Sequence, residues 1–121
     1  MVKVTFTVYS ESAQTVNLGF CVSNNPTATW TLVDYFRVWV NVEEGAQDDT
    51  NKLSKTEYTA PTIQGDGSVY NDIMIGNIQL QEGNNTITLG WQCVGQVAYK
   101  FTVRSMLMLA DSPVTLVASA A

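Results

Sequence analysis

The chain has 121 residues, six of them basic and eleven acidic, for a formal net charge of −5 and no histidine. That length suits one domain with a single core and is too short for two ordinary ones. Scattered basic residues on an acidic chain argue against a nucleic-acid groove or an anionic membrane surface as partner. The missing histidine removes the commonest general base and every imidazole metal site. Only 14% of residues are charged, so Asn, Gln, Ser and Thr must cover much of the surface, as in secreted sugar-facing proteins.

Valine, threonine and aromatic residues dominate, which favours strands over helices. Val2, Val4, Phe6 and Val8 alternate with Lys3, Thr5 and Thr7, predicting a first strand that begins almost at once. Val16, Leu18, Phe20 and Val22 repeat the pattern. Ser23 to Trp30 (SNNPTATW) reads as a loop, since the residue before Pro26 is pushed out of helical space and Asn and Thr favour turns. Phe36, Val38, Val40 and Val42 form a third face with Arg37, Trp39 and Asn41 opposite, so Trp39 lies on an exposed sheet face or under a second packed layer. EEGAQDDTNK is an acidic turn region, and Leu53 to Thr62 is weakly patterned. The GDGS turn at Gly65 to Ser68 leads into strand character from Tyr70 to Leu80, with a bulge at Gly76.

In LQEGNNTITLGW, Leu80 to Trp91, a Gly-Asn-Asn turn separates two apolar runs. Ile87, Leu89 and Trp91 then alternate with Thr86, Thr88 and Gly90, as in a strand with one buried face. A last long strand carries Phe101, Val103, Leu107 and Leu109, and Val114 to Val117 adds a further one. No window keeps a helical period and turn signals recur regularly, so the expected fold is an all-β, antiparallel, two-sheet jelly-roll-like sandwich over residues 1–121.

The segments TVNLGFCVSNN, FRVWVNV and IQLQEGNNTITLGW, in that order, resemble the core of family 6 and family 35 carbohydrate-binding modules, a galactose-binding-like group. Ile78, Leu80, Gly83, Asn85, Ile87 and Leu89 match the most recognisable segment of that group. The resemblance spans roughly Lys3 to Leu109 and implies a jelly-roll sandwich that binds a glycan or polysaccharide without catalysis, as one module of an extracellular glycan-active enzyme. It makes Asn85 a scaffold residue that ties the turn to neighbouring backbone. The acidic strand that opens such modules has no counterpart before Met1, and the final-strand Asn-x-Asp pattern is replaced by Lys100-Phe101-Thr102. No family-type calcium site and no other cofactor are therefore expected.

Stacking against sugar rings requires flat apolar surfaces, with amides and carboxylates nearby for hydroxyls. Trp30 and Tyr70 lie in polar loop surroundings, so the expected sugar site is a rim formed by these two with Asn25, Asp66 and Asn71. The other reading of both aromatics is that they fold over the edge of the core. Trp91 and Tyr99 share the phase of core residues. Asp48 and Asp49 suit a solvated turn or, as the alternative, a calcium loop. Cys21 is out of phase with its apolar neighbours while Cys93 is in phase with its own, so opposite faces and free thiols are expected. The start MVKVTFTV lacks the layout of a signal peptide, and no run approaches the length that spans a bilayer. Met1 directly before a strand suggests one module of a longer protein. The alternative function is a structural or adhesion sandwich that packs on a neighbouring domain.

Overall fold

The computed structural model describes residues 1–25, 28–53, 58, 62–66, 68–92 and 100–120. Among these residues nine strands carry the fold: β1 Val2–Ser10, β2 Gln14–Asn25, β3 Ala28–Thr31, β4 Phe36–Val40, β5 Thr62–Gly65, β6 Asn71–Leu80, β7 Gly83–Trp91, β8 Lys100–Leu109 and β9 Val114–Ala120. The helical elements among the described residues are a single turn, α1 Leu32–Tyr35, and a 3-10 turn at Glu44–Ala46. One sheet runs β4-β7-β1-β9, a second runs β6-β2-β8, and β3 with β5 forms a two-stranded ribbon. Every pairing is antiparallel. The chain passes between the two larger sheets from β1 to β2, from β6 to β7, from β7 to β8 and from β8 to β9, in the jelly-roll manner, so the fold is the all-β sandwich that the alternation predicts.

The apolar sets of the two sheets meet in one core. Val8, Ile87, Leu89, Trp91, Phe36 and Val38 come from the first sheet, and Val16, Leu18, Phe20, Val22, Ile73, Ile75 and Ile78 from the second. Aromatic rings bridge the layers, with Phe6 stacked on Phe20 at 6.0 Å and Trp91 on Phe101 at 5.5 Å.

Two bulges decide which side chains face inward. In β6 the register against β2 passes from Leu18↔Gly76 to Gly19↔Met74, leaving Ile75 as the extra residue. The buried set accordingly steps from Ile73 and Ile75 to Ile78 and Leu80. Gly76 takes φ 91°, a left-handed conformation that glycine adopts without a Cβ clash, and this is the bulge expected there. In β8 the pairing with β2 passes from Cys21↔Ser105 to Val22↔Val103, so Arg104 is the extra residue. That shift was not legible in the sequence. It turns Met106 and Met108 toward the core, while Leu107 and Leu109 stand 55% and 61% exposed instead of continuing the phase of Phe101 and Val103.

Three other expectations change. Part of the SNNPTATW loop is strand: Ser23 to Asn25 extend β2, and β3 pairs with β5 with Trp30 opposite Ile63. Thr29, Trp30 and Thr31 are good strand formers, and their alternation buries Trp30 while Thr29 stays exposed. The Gly-Asn-Asn segment is not itself the turn. The reversal falls at Gln81 and Glu82, and Gly83 already begins β7 opposite Ser10. Finally, β7 is buried on both faces over its second half, because Thr88 and Gly90 are covered as well.

That cover is the excursion from residue 41 to residue 53. Trp39, 2% exposed, lies beneath a second packed layer: its indole Nε1 donates to the Asp48 carbonyl at 2.9 Å, and Lys3 Nζ sits 4.7 Å from the ring centroid. Leu53 N donates to the Val38 carbonyl at 2.8 Å, closing the free edge of β4. Asp49 accepts from Arg37 at 3.0 Å and lies 3.3 Å from Lys52. These partners hold the Asp49 carboxyl below its ordinary range, and hydrogen bonds from Thr50 do the same for Asp48. Both carboxyls thus serve the turn itself.

A folded-state pKa below the unfolded value contributes stability that is present above the unfolded value, near about 3.9 for aspartate, and is lost as pH falls through the folded one. Melting temperature is therefore expected to hold from neutral pH down to the ordinary aspartate range and decline below it. Asp49→Asn should show a shallower acid decline in a pH series of thermal melts. An equally steep decline would place the acid sensitivity elsewhere. Both carboxylates are exposed, so the effect is small.

Candidate functional site

An open cleft of 540 Å³ lies on the outer face of the four-stranded sheet. Its floor is the outward phase of two neighbouring strands, Lys3 and Thr5 from β1 with Thr86 and Thr88 from β7. One wall is Asn41 to Glu44 with Gln47, and the far end is Gln81 and Asn84. Every lining side chain except Val42 is polar or charged.

The floor is fixed by its own hydrogen bonds. Lys3 Nζ donates to Gln47 Oε1 at 2.9 Å, and Gln47 Nε2 donates to Thr88 Oγ1 at 2.9 Å and to the Val42 carbonyl at 3.1 Å. The Thr88 and Thr5 hydroxyls lie 3.0 Å apart. Asn41 takes φ 57°, a left-handed conformation that asparagine tolerates better than most residues. This ends β4 and swings the chain into the wall. Its side chain then continues the ladder, with Oδ1 accepting from Thr86 N at 2.9 Å and Nδ2 donating to Asn85 Oδ1 at 2.9 Å.

Asn85 is the hub of the far end and is 1% exposed. Its Oδ1 accepts from Gln81 N at 2.9 Å, and its Nδ2 donates to the Gln81 and Gly83 carbonyls at 3.0 Å each. The scaffold role expected for it is the one it has. Around this fixed frame Glu43, Glu44, Gln81 and Asn84 are exposed. Together they offer the cleft two carboxylates and two amides, beside one ammonium from Lys3. Such a set binds hydroxyl-rich molecules through donors and acceptors at once.

The five residues expected to form a rim site are placed differently. Trp30 is 8% exposed and packs edge-on against Tyr35 at 4.7 Å and Trp91 at 5.9 Å, so its indole belongs to the core. Asp66 accepts from Ser68 N at 3.0 Å and Ser68 Oγ at 2.9 Å, a turn-closing role that also lowers its pKa. Asn71 exchanges two bonds with the Gln64 backbone, at 3.2 and 3.0 Å, tying β5 to the start of β6. Asn25 falls at the end of β2, and its side chain lies outside the described residues. Tyr70 alone presents an accessible ring, 39% exposed, with the Arg104 guanidinium 5.2 Å from its centroid. Asp66, Asn71 and Tyr70 are neighbours in the chain, while Trp30 turns away from solvent.

Cys21 is a free thiol on the outer face of the three-stranded sheet, its pKa raised by desolvation and by the adjacent Asp72; Cys93 and Tyr99 lie outside the described residues. Among the described residues no group of three or more acidic or thiol side chains is placed to hold a metal ion, and no helix is long and apolar enough to cross a membrane.

Fold and cleft together define an all-β sandwich with an open recess on one sheet face, lined by the methyls and aliphatic stems as well as the polar ends of polar side chains. Comparison with protein-family models, curated proteins and solved structures returns no match.

Sequence reasoning missed the cleft because its walls come from segments far apart in the chain, brought together by the β1–β7 and β4–β7 pairings. One signal was available. Thr5, Thr86 and Thr88 alternate with apolar residues and so mark an outward polar face on their strands, and Asn41 breaks an apolar alternation at the point where a wall begins.

Proposed function

We propose that the chain is a non-catalytic carbohydrate-binding module whose sugar site is the cleft over β1 and β7. The observation that carries this reading is the cleft's composition: a floor of hydroxyls held rigid by Gln47, ringed by exposed amides and carboxylates. Its volume falls in the range of small-molecule sites, about 300 to 1,000 Å³. The likeness of Ile78 to Leu89 to sugar-binding modules supports the same class, and with it an extracellular setting beside a glycan-active enzyme. Glu43 and Glu44 are sequence neighbours and both exposed, free to accept from ligand hydroxyls. Recognition rests on hydrogen bonds rather than ring stacking, since Trp39 is buried under the 41–53 excursion and Trp30 in the core. Binding of this kind is weak, with a dissociation constant of about 0.1 to 1 mM, or roughly 4 to 5.5 kcal/mol.

Calorimetry or affinity electrophoresis against a glycan panel tests it. The pair of substitutions Gln81→Ala and Asn84→Ala should weaken binding at least about tenfold, about 1.4 kcal/mol, while Tyr70→Ala leaves it unchanged. If Tyr70→Ala abolishes binding and the amide pair does not, the site lies at the rim instead. Failure of every glycan would favour the second reading, a sandwich that packs on a neighbour, for which Leu107, Leu109 and Leu116 supply exposed apolar surface.

A further inference from the structure

β1 pairs with β7 from Val2↔Trp91 to Ser10↔Gly83 without a register shift. Its pleat therefore runs unbroken, and Lys3, Thr5, Thr7 and Tyr9 stand on one face of the sheet. Lys3 and Thr5 belong to the floor of the cleft. Thr7 and Tyr9 continue the same face past its far end. Tyr9 is 43% exposed, which makes its ring the most accessible among the described residues.

The register gives this ring a polar neighbour on each side. Asn84 of β7 is directly opposite Tyr9 on one flank and Thr115 of β9 on the other, and both are exposed. Directly opposed residues of an antiparallel pair hold their Cβ atoms about 4.5 to 5.5 Å apart. A flat ring flanked by an amide and a hydroxyl supplies both elements of sugar recognition, an apolar surface for C–H groups and donors and acceptors for hydroxyls. Asn84 also lines the cleft, so the ring and the cleft share a residue. The nearest carboxylates in sequence, Glu11 and Glu82, fall in the turns after β1 and before β7. From Thr5 to Tyr9 the strand advances about 14 Å, which is longer than one sugar ring.

Resting on the cleft as the sugar site, we propose that its ligand is a glycan chain of several linked sugars lying along β1 and β7, with Tyr9 as the stacking residue of a second subsite beyond the cleft. Hydrogen bonds serve the cleft, where no ring is exposed, and the Tyr9 face serves the sugars that extend past Asn84. A single sugar held in the cleft leaves Tyr9 in water. A longer chain covers it, so affinity depends on chain length through this one ring.

The test is calorimetry on the full chain with cello-, xylo-, manno- and N-acetylated chito-oligosaccharides, each as disaccharide and as hexasaccharide. These neutral probes avoid the repulsion that a chain carrying −5 exerts on acidic glycans. In the series that binds, the hexasaccharide should bind at least about tenfold more tightly than the disaccharide. Tyr9→Thr, which keeps a good strand former, should abolish that difference, whereas Tyr9→Phe and Tyr70→Thr should keep it. In nuclear magnetic resonance spectra of the tyrosine-labelled parent, the Tyr9 ring signals should move with hexasaccharide and stay in place with disaccharide, a readout that needs no variant to fold. Equal affinity for both lengths, or a length dependence that survives Tyr9→Thr, overturns the extension, and the cleft still stands if Gln81→Ala with Asn84→Ala weakens both lengths. If no series binds, or if the amide pair changes neither length, the cleft reading falls and the extension falls with it.

Discussion

Asn85→Ala is expected to lower the melting temperature by about 10 to 15 °C without changing the fold. Asn85 is 1% exposed and takes part in four hydrogen bonds, to Gln81 N, the Gln81 and Gly83 carbonyls, and Asn41 Nδ2. Alanine leaves those partners without their amide in a space too enclosed for easy rehydration. Stranded buried groups cost about 1 to 3 kcal/mol each where no water reaches them. Gln81 is exposed and recovers part of its bonding from solvent, so the net loss is about 3 kcal/mol, and in a domain of this size each kcal/mol is worth about 3 to 6 °C.

Asn85→Asp separates the two halves of the clamp. It keeps an acceptor for Gln81 N and Asn41 but turns a carboxylate toward two carbonyls, so the introduced carboxyl must have a raised pKa in the folded state. A raised carboxyl pKa costs stability above the folded value, and the cost fades as pH falls below it. The deficit of Asn85→Asp relative to the parent should thus be smaller near pH 4 than near pH 7. Equal deficits at both pH values in urea titrations would show that the donors at Asn85 are not the seat of the effect.

The same residue shows what was legible in the sequence. The alternation of Val16, Leu18, Phe20 and Val22, and of Ile87, Leu89 and Trp91, reports strands packed on one face, and the spacing Gly83-x-Asn85-x-Ile87 marks a polar residue within an otherwise apolar phase. Period-2 patterning survives any fold that keeps one face buried. It fails where a bulge resets the phase. Gly76 announces its bulge because a left-handed φ favours glycine, whereas the bulge at Arg104 has no such marker, and alternation from Phe101 and Val103 alone puts Leu107 and Leu109 in the phase that Met106 and Met108 occupy.

Trp30 departs from the expected rim for a different reason. A tryptophan in polar sequence, as in SNNPTATW, says nothing of whether a ribbon will carry it inward, and β3 pairing with β5 does that for Trp30. Asp66 and Asn71 are hydrogen-bonding residues whose bonds within the chain go to Ser68 and Gln64. Turn-forming side chains and ligand-binding side chains are the same types, and only geometry tells them apart.

Trp39→Ala is the second large effect, and it joins the stability of the sandwich to the cleft. The indole fills the space between β7 and the 41–53 excursion, with Gly90 beneath it: a Cβ at Gly90 would lie 2.9 Å from Trp39 Cζ3 and 2.7 Å from Met1 Sδ. Removing a buried tryptophan costs about 3 to 5 kcal/mol. It also deprives Asp48 of the indole donor and Lys3 of its aromatic support. The wall bearing Glu43, Glu44 and Gln47 then loses its anchor, so under the proposed sugar site glycan affinity should fall along with stability although Trp39 is buried beneath the excursion. Trp39→Phe keeps a ring for Lys3 while losing the bond to Asp48, and an intermediate loss of about 1 to 2 kcal/mol is expected. Gly90→Ala approaches the same contact from the other side, since the added methyl must displace either the Met1 side chain or the indole, at about 1 to 3 kcal/mol if the indole moves. Chemical denaturation and glycan titration on the three variants should therefore rank them alike, with Trp39→Ala weakest in both. A Trp39→Ala chain that remains folded and binds glycan as the parent does would show that the excursion stands without its tryptophan, and that the cleft is not where the sugar sits.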